Sequence, residues 1–151
     1  MPHLSMHTPV GDITIFEDDD AIVALDWGWV DDQHETPLLL RARAQLEAYF
    51  DGARTSFDLP LAPEGTAYRR RVWQALCDIP YGETRTYQQI AAAAGGSARS
   101  VGQANGSNPI PLIIPCHRVV ASGHLGGYSG GEGLETKRWL LALESPNTTL
   151  I

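Results

Sequence analysis

The stretch with the clearest capacity for chemistry is Cys116-His117-Arg118, delivered by the proline-punctuated run Ser107–Pro115. A thiolate is a strong nucleophile, but an unperturbed thiol, with a pKa of about 8.5, is mostly protonated at neutral pH. Holding it about 90% ionised at pH 7 requires a pKa near 6, or roughly 3.4 kcal/mol in favour of the anion. His117 is the base at hand, acting directly or through a water. Neighbouring side chains on an extended chain point to opposite sides, so adjacency alone does not dictate contact. A carboxylate behind the imidazole would orient it. Asp78, Glu83, Glu132, Glu135 and Glu144 are the acids of the second half, and pattern does not choose among them. Metal chemistry at Cys116-His117 is a poor fit, because no further Cys or His pair lies at ligand spacing. Cys77, inside a helical pattern, reads as a small buried hydrophobe. The run Asp18-Asp19-Asp20 reads as a solvated turn.

These residues need elements to hold them. Prolines at 109, 111 and 115 suggest a stiff extended segment leading into Cys116. A glycine-rich loop, Ser122–Gly133, follows it, then a helix over Leu134–Glu144 with Leu134 and Leu141 inward, and a loose tail over 145–151. Upstream, Tyr68, Val72, Leu76 and Ile79 share a helical face that Pro80-Tyr81-Gly82 ends. Thr86-Tyr87-Gln88-Gln89 is a capping box opening a helix to Ala94, stopped by Gly95-Gly96. Ser97 caps a second helix from Ala98 to about Ala104, stopped by Asn105-Gly106. Two short helices joined by a glycine turn have the form of a helix-turn-helix. The first half reads as strands at 12–17 and 21–27 about a hairpin turn, then a helix from Thr36-Pro37 to Asp51-Gly52. Leu39, Ala42, Leu46 and Tyr49 form that helix's apolar face. Thr55–Leu59 reads as a further short strand and 60–66 as a linker.

The chain of 151 residues suits one domain or two small ones packed together. Its net charge of −7 argues against a polyanionic partner, but the average hides an asymmetry. Residues 1–66 carry 13 acidic and 3 basic side chains, whereas residues 67–151 carry 5 acidic and 8 basic ones. The second half alone would welcome phosphates, weakly and in a salt-sensitive manner. Two cysteines exclude a disulfide framework and point to a reducing, intracellular location. No apolar run reaches a membrane-spanning length, and no secretory signal is visible.

Pro115-Cys116-His117-Arg118-Val119-Val120 resembles the active-site signature of the O6-alkylguanine-DNA alkyltransferases, also called methylated-DNA–protein-cysteine methyltransferases. The resemblance extends through Tyr87–Ala91, Arg99–Asn105 and Asn108–Pro111 upstream, and through Gly127–Gly131, Lys137, Trp139–Leu141 and Glu144 downstream. It covers about residues 68–144. It implies an α+β (α/β) fold: a small ribonuclease-H-like domain over 1–62, then a mainly helical DNA-binding and alkyltransferase domain with the helix-turn-helix over 67–151. It implies that Cys116 takes the alkyl group from O6-alkylguanine, and from O4-alkylthymine, in double-stranded DNA. The product is a thioether, so each molecule acts once. The target base must be flipped out at a cost of a few kcal/mol.

By the same resemblance Glu144 orients His117, and His117 acts through a water on Cys116. Asn108 ties the helix-turn-helix to the active-site segment, and Tyr87 donates to the departing guanine. Tyr128, Ser129 and Gly130 line the pocket, while the backbones of Cys116 and Val119 read the guanine edge. Arg99 fills the gap in the duplex, and Ser100, Gly102 and Ala104, small residues, allow close approach in the minor groove, with Thr86 also on the DNA side. The expected protein is a cytoplasmic monomer with no metal, no cofactor and no membrane partner. Two departures stand out: a turn at Gly95-Gly96-Ser97 about two residues shorter than in many relatives, and Glu132-Gly133 in the pocket loop. The first half has no cysteine for the structural zinc that some relatives carry, and no zinc-based sensing domain like that of the adaptive-response regulators is expected. The competing readings are a non-catalytic alkyltransferase-like lesion binder, which would lack the reactive cysteine, and an unrelated Cys–His acyl-transfer hydrolase, which would leave Arg99 and the helix-turn-helix unexplained.

Overall fold

The computed structural model describes residues 1–145; the tail expected over 145–151 lies almost wholly outside the described residues. Strands β1 (His3–Met6), β2 (Ile13–Asp18) and β3 (Ala21–Trp27) form an antiparallel sheet in the order β1-β2-β3. β1 is an addition to the expected pair: four residues give too short a pattern to separate from a polar N-terminus. Asp19 and Asp20 both take positive φ, 49° and 62°, as a two-residue hairpin turn requires, and short polar side chains tolerate this. Helix α1 (Pro37–Phe50) starts where Thr36 accepts from Leu39 N–H and Pro37 supplies a pre-set φ. Its stripe of Leu39, Ala42, Leu46 and Tyr49 is wholly buried with Ile13, Ile15, Ile22 and Leu25 of the sheet.

No strand forms over 55–59. The linker supplies the extended pairing instead, two residues on: Ile22 N–H donates to Pro60 O (2.8 Å) and Ala62 N–H to Ile22 O (2.9 Å). Pro60 lacks a donor, but only its carbonyl is needed at this edge. Further along β3, Leu25 N–H donates to Pro109 O (2.8 Å). The open edge of β3 is thus shared between the linker and the segment that leads into Cys116.

The second half contains α2 (Ala67–Cys77), β4 (Arg85–Thr86), α3 (Tyr87–Ala94), α4 (Ala98–Gly106), a 3-10 turn (Cys116–Arg118), β5 (Val119–Val120) and α5 (Leu134–Glu144). β4 and β5 pair in parallel. The capping box at Thr86 and Gln89 is complete, and a second one joins Ser97 to Ser100. Trp73 of α2 is buried and donates its indole N–H to Ala104 O (2.8 Å), locking α4 onto α2.

Four expectations need correction. α4 runs to Gly106, because the Asn105 side-chain amide donates across to Cys116 O (3.3 Å) and does not compete with the helix backbone. Residues 107–115 are not extended: they fold into consecutive turns, with Leu112 at φ 73° and Ile114 N–H bonded to Ile110 O (2.9 Å). The φ that proline imposes suits turns as well as extended chain, and burying Ile110, Leu112, Ile113 and Ile114 drives the compaction. Cys77 is exposed on the last turn of α2. The inward face of α5 is Thr136, Lys137, Leu140 and Glu144, while Leu134 stays exposed, because the buried polar groups find partners in the site.

Candidate active site

The turns of 107–115 end in the 3-10 turn, held by Cys116 N–H to Ile114 O (2.8 Å) and Arg118 N–H to Pro115 O (3.0 Å). Asn108 braces this approach: its amide donates to Ile114 O (2.8 Å) and its carbonyl accepts from Ile110 N–H (2.9 Å). Cys116 is 6% exposed and His117 wholly buried.

Behind the turn stands Glu144 at the end of α5, alone among the five acids in reaching His117. Its carboxylate accepts from His117 Nε2 (2.6 Å), from Arg118 Nε (2.7 Å) and Nη2 (3.1 Å), and from the Tyr49 hydroxyl (2.5 Å). Arg118 Nη1 also donates to Ile79 O (2.8 Å). Burial alone would raise Glu144, but the bonds from His117 and Arg118 outweigh it and hold the carboxyl down at about 2. Burial pushes His117 below its ordinary range, against the pull of Glu144, so the imidazole is neutral at pH 7. The ionised Glu144 therefore places the ring proton on Nε2 and leaves the lone pair on Nδ1. Nδ1 is buried with no hydrogen-bond partner, and no bond joins it to Cys116.

Burial likewise pushes the Cys116 thiol up, while Asn108, the Lys137 charge and Tyr128 pull it down without prevailing. The resting pair is thus a thiol and a neutral imidazole rather than a stored thiolate, and deprotonation must accompany attack. Lys137, wholly buried, donates to Val119 O (2.7 Å), Leu125 O (2.5 Å) and Gly127 O (3.0 Å). It pins the glycine-rich loop to the cysteine segment.

Cys116 opens into a cavity of about 680 Å³, within the range of small-molecule sites. Tyr87, Asn108, Tyr128, Ser129 and Gly130 line it, as does Gly102 of α4. The Tyr87 hydroxyl accepts from Gly127 N–H (3.4 Å). The Tyr128 hydroxyl is buried beside the Cys116 sulfur without a well-aligned partner. One wall comes from the first half: Leu25, Asp26 and Trp27 of β3. The Trp27 indole lies so close under Gly130 that a Cβ there would stand 2.6 Å from Nε1. Sequence reasoning missed Trp27, Tyr49 and the work of Lys137 and Arg118. A tryptophan at the end of a strand and a tyrosine on a helix's apolar stripe carry no local mark of a site.

Arg99 is exposed on the first turn of α4, while Ser100 is half-buried, bonding Ser97 N–H (2.9 Å) and the Tyr68 hydroxyl (2.8 Å). Two residues depart from the roles expected of them. Ala104 is 1% exposed and faces α2, so its small side chain serves packing and not an outer surface. Val119 lies outside the cavity lining, its N–H bonded to Cys116 O and its carbonyl to Lys137. Thr86 is also outside the cavity, its hydroxyl engaged as the cap of α3. Among the described residues no cluster of His, Cys, Asp and Glu suits a metal ion, and no helix is long and apolar enough to cross a membrane.

Known proteins match the chain along both halves. The sequence model for the 6-O-methylguanine DNA methyltransferase ribonuclease-like domain matches residues 3–63, and that for the DNA binding domain of the same family matches residues 67–146. The methylated-DNA–protein-cysteine methyltransferase of Methanosarcina barkeri is 44% identical, over 94% of this chain and 96% of its own length. The constitutive protein of that name from Bacillus subtilis is 43% identical over 94% of each. Mycobacterium tuberculosis OGT, solved in complex with DNA, superposes with a TM-score of 0.87 at 39% identity, covering 99% of this chain and 96% of that one. With both halves matched in order, Cys116 at the cavity wall and His117 paired with Glu144 behind it, the chain belongs to the 6-O-methylguanine DNA methyltransferase family.

Proposed function

We propose that this protein repairs DNA by moving the alkyl group of O6-alkylguanine, and of O4-alkylthymine, irreversibly onto Cys116. The observation that carries the reading is Cys116 at the wall of a base-sized cavity, beside the recognition helix α4 and in front of the His117–Glu144 pair. The target nucleotide leaves the stack, Arg99 fills its place, and the base enters the cavity. Sγ attacks the alkyl carbon in line as the C–O6 bond breaks, and the bond's electron pair stays on the guanine. The thiol proton passes through a water to the lone pair of His117 Nδ1, and the imidazolium is held by the Glu144 carboxylate. Tyr87 donates a proton to the guanine as negative charge develops and is reprotonated through solvent as the His117 imidazolium releases its own, so the base ends protonated and neutral. The net exchange is one thiol proton for one alkyl group. No oxidant or reductant is consumed, and the thioether has no route back.

In this reading Asn108 braces the cysteine turn, and Tyr128, Ser129 and Gly130 bound the alkyl side of the pocket. Residues 1–62 and 67–151 act as two domains of one monomer that needs no cofactor and works in the cytoplasm. The test is intact mass after incubation with a short duplex holding one O6-methylguanine. The expected gain is one methyl, about 14 Da, on the Cys116 peptide, ceasing after one equivalent. Cys116→Ser should abolish the gain and keep DNA binding. No gain in the parent, with tighter binding to the damaged duplex, would replace this reading with a lesion binder.

A further inference from the structure

Tyr49 lies on α1 in the first half, 95 residues from the carboxylate to which its hydroxyl donates. It is wholly buried, its ring edge-on to Phe50 (5.3 Å) and Tyr81 (6.4 Å) and tilted against Phe57 (5.5 Å). The acceptor is Glu144 Oε2, the same oxygen that receives His117 Nε2–H. A group needed only to fill the core would carry no hydroxyl there, since burying one without a partner is costly.

We infer that Tyr49 is a positioning residue for alkyl transfer: through Glu144 it fixes the orientation and proton affinity of His117, so the first half supplies part of the active site. The inference rests on the alkyl-transfer reading above. Each donor on Oε2 draws charge from that oxygen and weakens its hold on an imidazolium. Burial keeps the ring neutral, and Tyr49 reinforces this by weakening the pull of the carboxylate, leaving Nδ1 free to accept the thiol proton. Other groups facing His117 are Lys137 on α5, Arg118 on its own turn with Tyr81 beyond it, and the neighbouring Cys116. None of these donates to Oε2 except Arg118, at 3.1 Å.

Tyr49→Phe keeps the ring and removes the bond. The His117 titration, followed by NMR in the DNA-free protein, should move up by about one pH unit, a tenfold change in proton affinity. The acid limb of the transfer rate should move up with it. At pH values below that limb the variant should be about tenfold slower, recovering at higher pH with DNA affinity unchanged. In a Glu144→Gln background Tyr49→Phe should cost nothing more. Phe50→Leu, which disturbs the same turn but spares the hydroxyl, should leave the His117 titration in place. An unmoved titration in Tyr49→Phe, an equal shift in Phe50→Leu, or an equal slowing in the Glu144→Gln background would each overturn the inference. The titration needs no transfer activity, so a parent protein that transferred nothing would sink the alkyl-transfer reading while the fate of Tyr49 was still decided.

Discussion

Replacing Gly130 by alanine should push apart the two halves of the cavity wall. An added Cβ would sit 2.6, 2.7 and 2.8 Å from Nε1, Cε2 and Cζ2 of Trp27, where ordinary contact begins at 3.4 Å, so a gap of about 0.8 Å must open. Gly130 is not among the glycines at positive φ, so alanine meets no backbone penalty and loses slightly less entropy on folding. The clash is with a rigid ring, and overpacking of this kind costs about 1–3 kcal/mol. For a domain of this size each kcal/mol lowers the melting temperature by roughly 2–4 °C. Loosening the loop should also slow methyl transfer. The decisive assay is a thermal double-mutant cycle with Trp27→Ala. Removing the indole gives the new methyl room, so the double variant should be more stable than the sum of the single effects by about 1–3 kcal/mol. The wider pocket of Trp27→Ala should favour bulky adducts over methyl. A cycle additive to within about 0.5 kcal/mol would show that Gly130 and Trp27 do not meet.

Arg99→Ala should leave the melting temperature in place, since the side chain is exposed. Its transfer from O6-methylguanine in a duplex should fall 10- to 100-fold, matching the few kcal/mol of unstacking. Transfer from the free alkylated base should be unaffected; equal slowing on both substrates would remove Arg99 from base flipping. Glu144 titrates at about 2 when folded, against 4.5 as its ordinary value. A depressed carboxylate contributes stability above its unfolded pKa and loses it as pH falls through the folded one. Between about pH 4.5 and 2 the protein should therefore lose about 3 kcal/mol. Denaturant melts across that window should show the slope in the parent and a flatter one in Glu144→Gln, and parallel slopes would refute the assignment.

The helices were legible where local chemistry marks them. Thr36-Pro37, Thr86–Gln89 and Ser97 each satisfy the first N–H groups of a helix, and those signals act within four residues. Cys116 and His117 were legible from residue type, whereas Arg99, Tyr87 and Glu144 stood out through the family motif. The rest depends on long-range burial. Leu134 looks like core and is exposed, while Lys137 and Glu144 look like surface and are buried, because only the fold shows that carbonyls and an imidazole wait for them. The three prolines before Cys116 restrict φ without saying whether the chain turns or extends, and packing of the isoleucines decides it. Trp27 and Tyr49 join the site across an interface that neither half encodes alone.

Trp27 also gives the protein an optical handle. Of the four tryptophans, Trp73 is sealed in the core, Trp29 and Trp139 face solvent, and Trp27 lines the cavity. An indole emits according to the polarity and stacking around it, and nucleobases quench it on contact. Entry of a damaged base should dim this one fluorophore, and departure of the restored guanine should leave it beside a permanent thioether. A single-turnover reaction would then write its own time course in unlabelled protein, with Trp27→Phe as the dark reference.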